Sequence, residues 1–466
     1  MRHVILSAAI AASLSATAAH ADVRLLAIGD FKNTADRSGL TGNLENGLAA
    51  NVFGGIGSAL AYAGGTTFLF APDRGPNATP WNSAVDDTTS YISRFHTVDL
   101  TLKASTSGAL PFSLTPVLQG TTLLSSPTAL TYAAGAAPAQ NTSGKYYFSG
   151  RSDNFGAGLS TNPANARFDP EGLRVSNDGN SVFVSDEYGP YVRQFDRRSG
   201  ELIRTYALPG NLAISNLSSK GDTEIANNPT GRVANKGMEG LAITPDGKTL
   251  VGIMQAPLAQ DASVNATKKM VRIVTIDIAT GATHEYGYKL TNGSGVSEIT
   301  AINDHEFLVD ERDGKGLGDG SAAAVKQLFR IDLSGATDIT NLNGAAAANA
   351  SVGKTLFLDL VPSLSAALGG NTQVPSKIEG FTFGQDVVLN GETYHTLFIG
   401  NDNDFVPASA GPSRVFVYGF KDGDLPGLTA QSVAAIPEPD VWAMLLMGFG
   451  MAGTALRKRA RRLTRV

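Results

Sequence analysis

Five segments of this 466-residue chain are built to one plan, and that repetition constrains the fold more than any other feature. Each opens on a small or acidic residue, runs through a short apolar strand, turns, returns through a nearly continuous apolar strand and ends in a polar cluster, which is the pattern of a β-hairpin. In one copy Glu171-Gly172-Leu173-Arg174-Val175 turns at 177–180, and Val182-Phe183-Val184 leads to Asp186-Glu187. Glu239 to Gln255, Glu298 to Glu311 and Glu379 to Asp402 repeat it, and a weaker copy runs from Gly57 to Asp73. The midpoint of each copy falls inside its turn, so every hairpin brings its first and last residues side by side at one open end.

The return strands are apolar at successive positions, as expected of strands buried on both faces between neighbouring sheets. Further strands follow: 191–195, 270–276, 328–331 and 415–418. Hairpins with outer strands, repeated along the chain, predict an all-β fold, a β-propeller of six blades, with five and seven also compatible. The propeller is expected over 22–425, with a Ser/Thr/Ala/Gly/Pro-rich insertion at 104–166 and a linker at 426–435.

In such a ring Glu171, Glu239, Glu298 and Glu379 occupy equivalent places around one mouth, with Asp73, Asp186, Glu187, Gln255, Asp310, Glu311 and Asp402 beside them. Crowded carboxylates raise one another's pKa unless a cation or interleaved basic side chains offset them. Arg74, Arg312 and Lys377 flank the rim, and a cage of carboxylates and carbonyls suits Ca²⁺. The expected metal ligands are Glu171, Asp186, Glu187, Glu239, Glu298, Glu311 and Glu379. The four leading glutamates with Arg312 and Lys377 are the expected catalytic set, and Arg74, Tyr188 and Gln255 the expected substrate contacts.

Other chemistries lack support. There is no cysteine, hence no disulfide, thiolate metal site or thiol nucleophile. No Gly-x-Ser-x-Gly elbow occurs, and the histidines have no zinc-ligand spacing. A formal charge of −5 without a basic patch in the body excludes a nucleic-acid-binding surface.

The ends carry addresses. Residues 1–21 hold a basic start, an apolar run and Ala19-His20-Ala21, the pattern of an export signal. Ile436-Pro437-Glu438-Pro439, an apolar stretch from Val441 to Leu456 and an Arg-rich end resemble the PEP-CTERM sorting signal of Gram-negative bacteria. That stretch is short for a comfortable span. The resemblance implies an exosortase-type processing enzyme as a partner, membrane attachment through 436–466 before processing, and delivery to the cell envelope or extracellular matrix. Seven of the 37 basic and two of the 42 acidic side chains lie in these ends, which leaves a body with net charge −10.

Several motifs in order, among them Asp169-Pro170-Glu171-Gly172, Ser185-Asp186-Glu187-Tyr188-Gly189-Pro190, Asn235-Lys236-Gly237-Met238-Glu239-Gly240-Leu241, Glu311-Arg312-Asp313 and Lys377-Ile378-Glu379-Gly380, resemble the phytase-like domain family, "esterase-like activity of phytase". The likeness covers about residues 45–420 and implies a secreted propeller hydrolase acting on phosphate or other esters, here with Ca²⁺. The alternative is a non-catalytic propeller that binds an envelope component such as an exopolysaccharide. The chain departs from the pattern at Gly57, where the other hairpins open on a polar residue.

Overall fold

The structure is a computed structural model that describes residues 23–79, 88–106, 108–133 and 137–434. The expected export signal (1–21), Trp81 and the sorting segment (436–466) lie outside the described residues. Among the described residues no helix is long and apolar enough to cross a membrane.

Each of the five hairpins forms the inner pair of an antiparallel sheet whose core is four strands. Blade one comprises Ala59–Tyr62, Thr67–Ala71, Arg94–Ala104 and Phe112–Leu123. Blade two comprises Pro170–Val175, Ser181–Asp186, Val192–Asp196 and Leu202–Tyr206. Blade three runs through Met238–Ile243, Thr249–Met254, Met270–Asp277 and Thr283–Lys289, and blade four through Gly295–Ala301, Glu306–Arg312, Lys326–Asp332 and Lys354–Asp359. Blade five takes Lys377–Phe383, Glu392–Asp402 and Arg414–Phe420, and its outer strand is Arg24–Asp30 from the start of the chain. That pairing closes the ring.

The count is therefore five blades rather than six. Within the stretch read as an insertion, Phe112–Leu123 is the outer strand of blade one, and Tyr146–Tyr147 pairs only with Ser125–Ser126 in a two-stranded ribbon. The outer strand alternates buried Phe112 and Leu114 with exposed neighbours, as a half-solvated edge should.

Apolar cores fill the spaces between blades, because each inner strand buries both faces. One cluster joins blades five and one through Phe398, Val415, Leu60 and Phe68, and another joins one and two through Leu69, Leu173 and Val182. Leu241 with Val192, Ile299 with Val251, and Phe381 with Leu308 fill the remaining gaps. The inner strands thus touch in cyclic order around an axis.

Candidate active site at the mouth of the propeller

Four of the five inner strands carry a β-bulge, and each bulge contains the leading glutamate. The register shifts between Pro170 and Leu173, Met238 and Gly240, Val296 and Ile299, and Ile378 and Phe381, around Glu171, Glu239, Glu298 and Glu379. A bulge breaks the alternation of side chains and re-aims one of them, here toward the axis. The glycine after the glutamate has a separate role: a Cβ on Gly240 would lie 2.7 Å from the Cα of Glu298 in the next blade. Gly57 follows the same logic, since a Cβ there would sit 2.2 Å from the Asn401 carbonyl. Blade one pairs in regular register and contributes Asp73 and Arg74 from the far end of its hairpin instead.

These residues line a cleft of about 260 Å³ whose walls include Asp73, Arg74, Glu171, Glu187, Glu239, Gln255, Arg312, Lys377 and Glu379. One carboxylate oxygen from each of Glu171, Glu187 and Glu239 lies within 4.8 Å of the others, and Asp73, Asp169 and Glu171 form a second such group. A third, Asp73 with Asp402 and Asp404, already contains a cation: Lys377 Nζ lies 2.8 Å from Asp402 and 2.6 Å from Asp404. Arg312 pairs with Glu379 at 2.6 Å and reaches Glu239 at 3.7 Å. Arg74 holds Asp169 through its side chain at 3.3 Å and its backbone N–H at 2.8 Å.

The Glu171–Glu187–Glu239 group has fewer partners. Gln255 Nε2 donates to Glu239 Oε1 at 2.8 Å and the Gly237 N–H to Glu187 at 3.1 Å, whereas no N–H or alcohol O–H of the described residues reaches the other, buried Glu239 oxygen. Glu187 and Glu239 hydrogen-bond to each other only when one of them holds a proton. Burial, then the charges of Glu239, Asp169 and Glu187, hold the Glu171 carboxyl well above the usual range. Burial and the charge of Glu239 do the same to Glu187. Glu239 is pushed to about 7 by burial and Glu379, and Asp73 to about 7, chiefly by burial.

Glu298 does not join this group. Its carboxylate meets Arg174 at 3.1 Å and accepts the N–H groups of Leu241 (3.0 Å) and Ile299 (2.9 Å). Arg174 lies on the axis, where its guanidinium donates to the carbonyls of Leu60, Leu173, Ile299 and Phe381, drawn from four blades. The pair plugs the channel below the mouth. Asp186 accepts the N–H groups of Asp169 (2.7 Å) and Gly189 (2.6 Å) and shapes its loop. Glu311 points away from the cleft, accepting from Tyr288 Oη (2.7 Å), the Thr291 N–H (3.0 Å) and Lys354. Tyr188 is buried, with its hydroxyl donating to the Gly150 carbonyl and the Arg167 guanidinium 4.0 Å over its ring.

Residues outside the expected set complete the site. Asp169 and Asp404 belong to its carboxylate groups, and Asn235 and Lys236 line the wall, with Asn235 accepting from Arg74. Asp169 stands two residues before Glu171, at the entrance to its bulge, and Asp404 two after Asp402, in a turn where its φ is 50°, so strand alternation alone places neither.

Among solved structures the chain resembles the PQQ-bound aldose sugar dehydrogenase of Streptomyces coelicolor, at 12% identity over 86% of this chain and 98% of that one, with a TM-score of 0.30. It also resembles a putative 6-phosphogluconolactonase of Bacteroides uniformis, at 11% identity over 77% and 83%, with a TM-score of 0.28. An uncharacterized secreted protein of Arthroderma benhamiae is 34% identical over 152 residues, 30% of this chain and 28% of that protein. The PEP-CTERM protein-sorting motif matches residues 435–462, marking an exported protein handled by exosortase-type machinery. The model of the phytase-like family, esterase-like activity of phytase, matches residues 51–405, most of the propeller, and the chain belongs to that family.

Proposed function

We propose that this exported phytase-like protein is a hydrolase of phosphate or other esters, and that its reaction takes place in the acidic mouth with Ca²⁺ as cofactor. The observation that carries the reading is the convergence of three buried carboxylates, Glu171, Glu187 and Glu239, which face more neighbouring carboxylates than donors. Three carboxylates crowded beyond what their own hydrogen bonds offset call for positive charge. Ligand oxygens at about 2.3–2.6 Å from a Ca²⁺ stand at most about 5 Å apart, which accommodates the 4.8 Å spread of this group. The ion supplies charge that a carboxylate-lined pocket lacks for an anionic ester.

The chain's own residues do the rest. Arg312, fixed by Glu379, and Lys377, fixed by Asp402 and Asp404, present cations on one side of the cleft and orient the ester oxygens. Asp73, with a carboxyl poised at about 7, accepts or returns a proton near neutral pH. The Arg174–Glu298 plug closes the floor, so substrate and product use the mouth alone.

The test is a panel of phosphate and carboxylic esters assayed with Ca²⁺ and with chelator, beside a glycan-retention assay on the same preparation. Hydrolysis lost in chelator and restored by Ca²⁺ is the expected result. Equal rates in chelator overturn the metal's role, and glycan retention without hydrolysis of any ester overturns the enzyme reading in favour of a binding propeller.

A further inference from the structure

We propose that the turn face of the propeller, opposite the acidic mouth, is the side that faces the bilayer, and that residues 425–434 are a strap that enforces this orientation. The proposal rests on reading 436–466 as membrane-attached before processing.

After its last strand the chain does not leave at the rim. Leu425 is buried and Leu428 packs against the core between blades four and five. Asn303 donates to the Gly427 carbonyl (3.2 Å) and the Thr429 N–H to the Ile302 carbonyl (2.8 Å), both in the turn region of blade four. The chain then crosses the axis. Gln431 Nε2 donates to the Val175 carbonyl and to Asn177 Oδ1, each at 2.8 Å, and the Ala434 N–H reaches the Asn177 carbonyl at 2.9 Å, in the turn of blade two. Val433 packs into the core between blades one and two. Beneath the strap lies a cavity of about 40 Å³ bounded by Tyr62, Ile243, Thr300 and Thr382, with Arg174 as part of its wall. The strap thus lies over the turn end of the same channel that the mouth opens at the other.

Ala434 is held on the turn face, and the apolar segment begins at Val441. The seven intervening steps reach at most about 25 Å fully extended. A six-residue strand makes the propeller about 20 Å thick, and clearing three further strands adds about 15 Å, so a path around the rim to the mouth needs about 35 Å. The tether is too short for the mouth to meet the bilayer while the strap stays docked. The acidic cleft is left open to solvent.

Because the chain has no cysteine, single-cysteine variants report position directly. Lys248→Cys places a thiol on the turn face and Lys315→Cys one on the loops of the mouth end, at two exposed positions. Unprocessed full-length chain is mixed with phosphatidylethanolamine/phosphatidylglycerol vesicles, floated, and labelled with a bulky water-soluble maleimide. Labelling at Lys248→Cys should slow several-fold relative to protein free of vesicles, with no change at Lys315→Cys. Adding Thr429→Pro and Gln431→Ala, which release the strap, should erase the difference. A chain that floats with both sites equally labelled, or with the mouth site protected, overturns the orientation alone. A chain that fails to float overturns the membrane reading and the orientation with it.

Discussion

Glu298 and the Glu171–Glu239 pair occupy equivalent bulges on neighbouring inner strands, yet they have opposite fates. Glu298 meets a guanidinium and two backbone N–H groups, and its pair with Arg174 knits four blades together through their carbonyls. Burial raises both kinds of carboxyl, Glu298 and Glu239 alike to about 7. Around Glu298 the guanidinium and the N–H groups pull back down, whereas around Glu171 the neighbouring Glu239, Asp169 and Glu187 push further up. A buried carboxylate with a matched cation is part of the framework, whereas one left short of positive charge is a place for a ligand.

Removing the cation from the matched pair is the most damaging change. Arg174→Ala strands Glu298 and leaves four carbonyls without their donor, and it should cost about 3–5 kcal/mol in urea unfolding. A loss below about 1 kcal/mol, the scale of one ordinary hydrogen bond, would erase the contrast. Glu239→Gln acts on the unmatched group with the opposite sign. In chelator it should leave stability unchanged or raised, because it relieves repulsion, while ester hydrolysis with Ca²⁺ falls about 100-fold. Calcium binding, followed by calorimetry, should weaken in parallel.

The response of the pH dependence to calcium sharpens the same difference. Asp73, Glu239 and Glu298 have carboxyls raised to about 7, so between the usual carboxylate range and pH 7 the native state binds more protons than the unfolded chain. In chelator, stability should therefore fall as pH rises through that window, and saturating Ca²⁺ should flatten or reverse the slope. Urea midpoints at a series of pH values read this directly, and a slope that saturating Ca²⁺ leaves unchanged contradicts the uncompensated cluster, because Glu298 adds to the slope without facing the ion. The smallest effect is expected from Gln255→Ala, which removes one donor to Glu239 and should weaken calcium binding by about 1 kcal/mol, roughly fivefold.

The hairpins were legible in the sequence because strand, turn and return strand are local, and both apolar runs and turn residues repeat. The blade count was not. Phe112–Leu123 is a Ser- and Thr-containing edge strand, and its half-solvated pattern resembles the loops around it. Arg24–Asp30 completes blade five only by pairing with Arg414–Phe420 at the far end of the chain. At the site, the doublets Asp186-Glu187 and Asp310-Glu311 looked equivalent. Side chains alternate along a strand, so a doublet cannot aim both members the same way. Blade two turns Glu187 into the cleft, and blade four turns Glu311 out toward Tyr288 and Lys354.

What the sequence determined by itself is the repeating unit and the end of each unit at which its acids gather, since a hairpin folded at its middle brings its two ends together whatever surrounds it. Arg174 shows what it left open: in sequence it is one polar residue in an apolar strand, and only a closed ring sets it on the axis within reach of Phe381, 207 residues away. Which carboxylates meet each other and which meets a cation depends on the spacing between strands of different blades, a distance that no local pattern encodes and that packing between the blades alone decides.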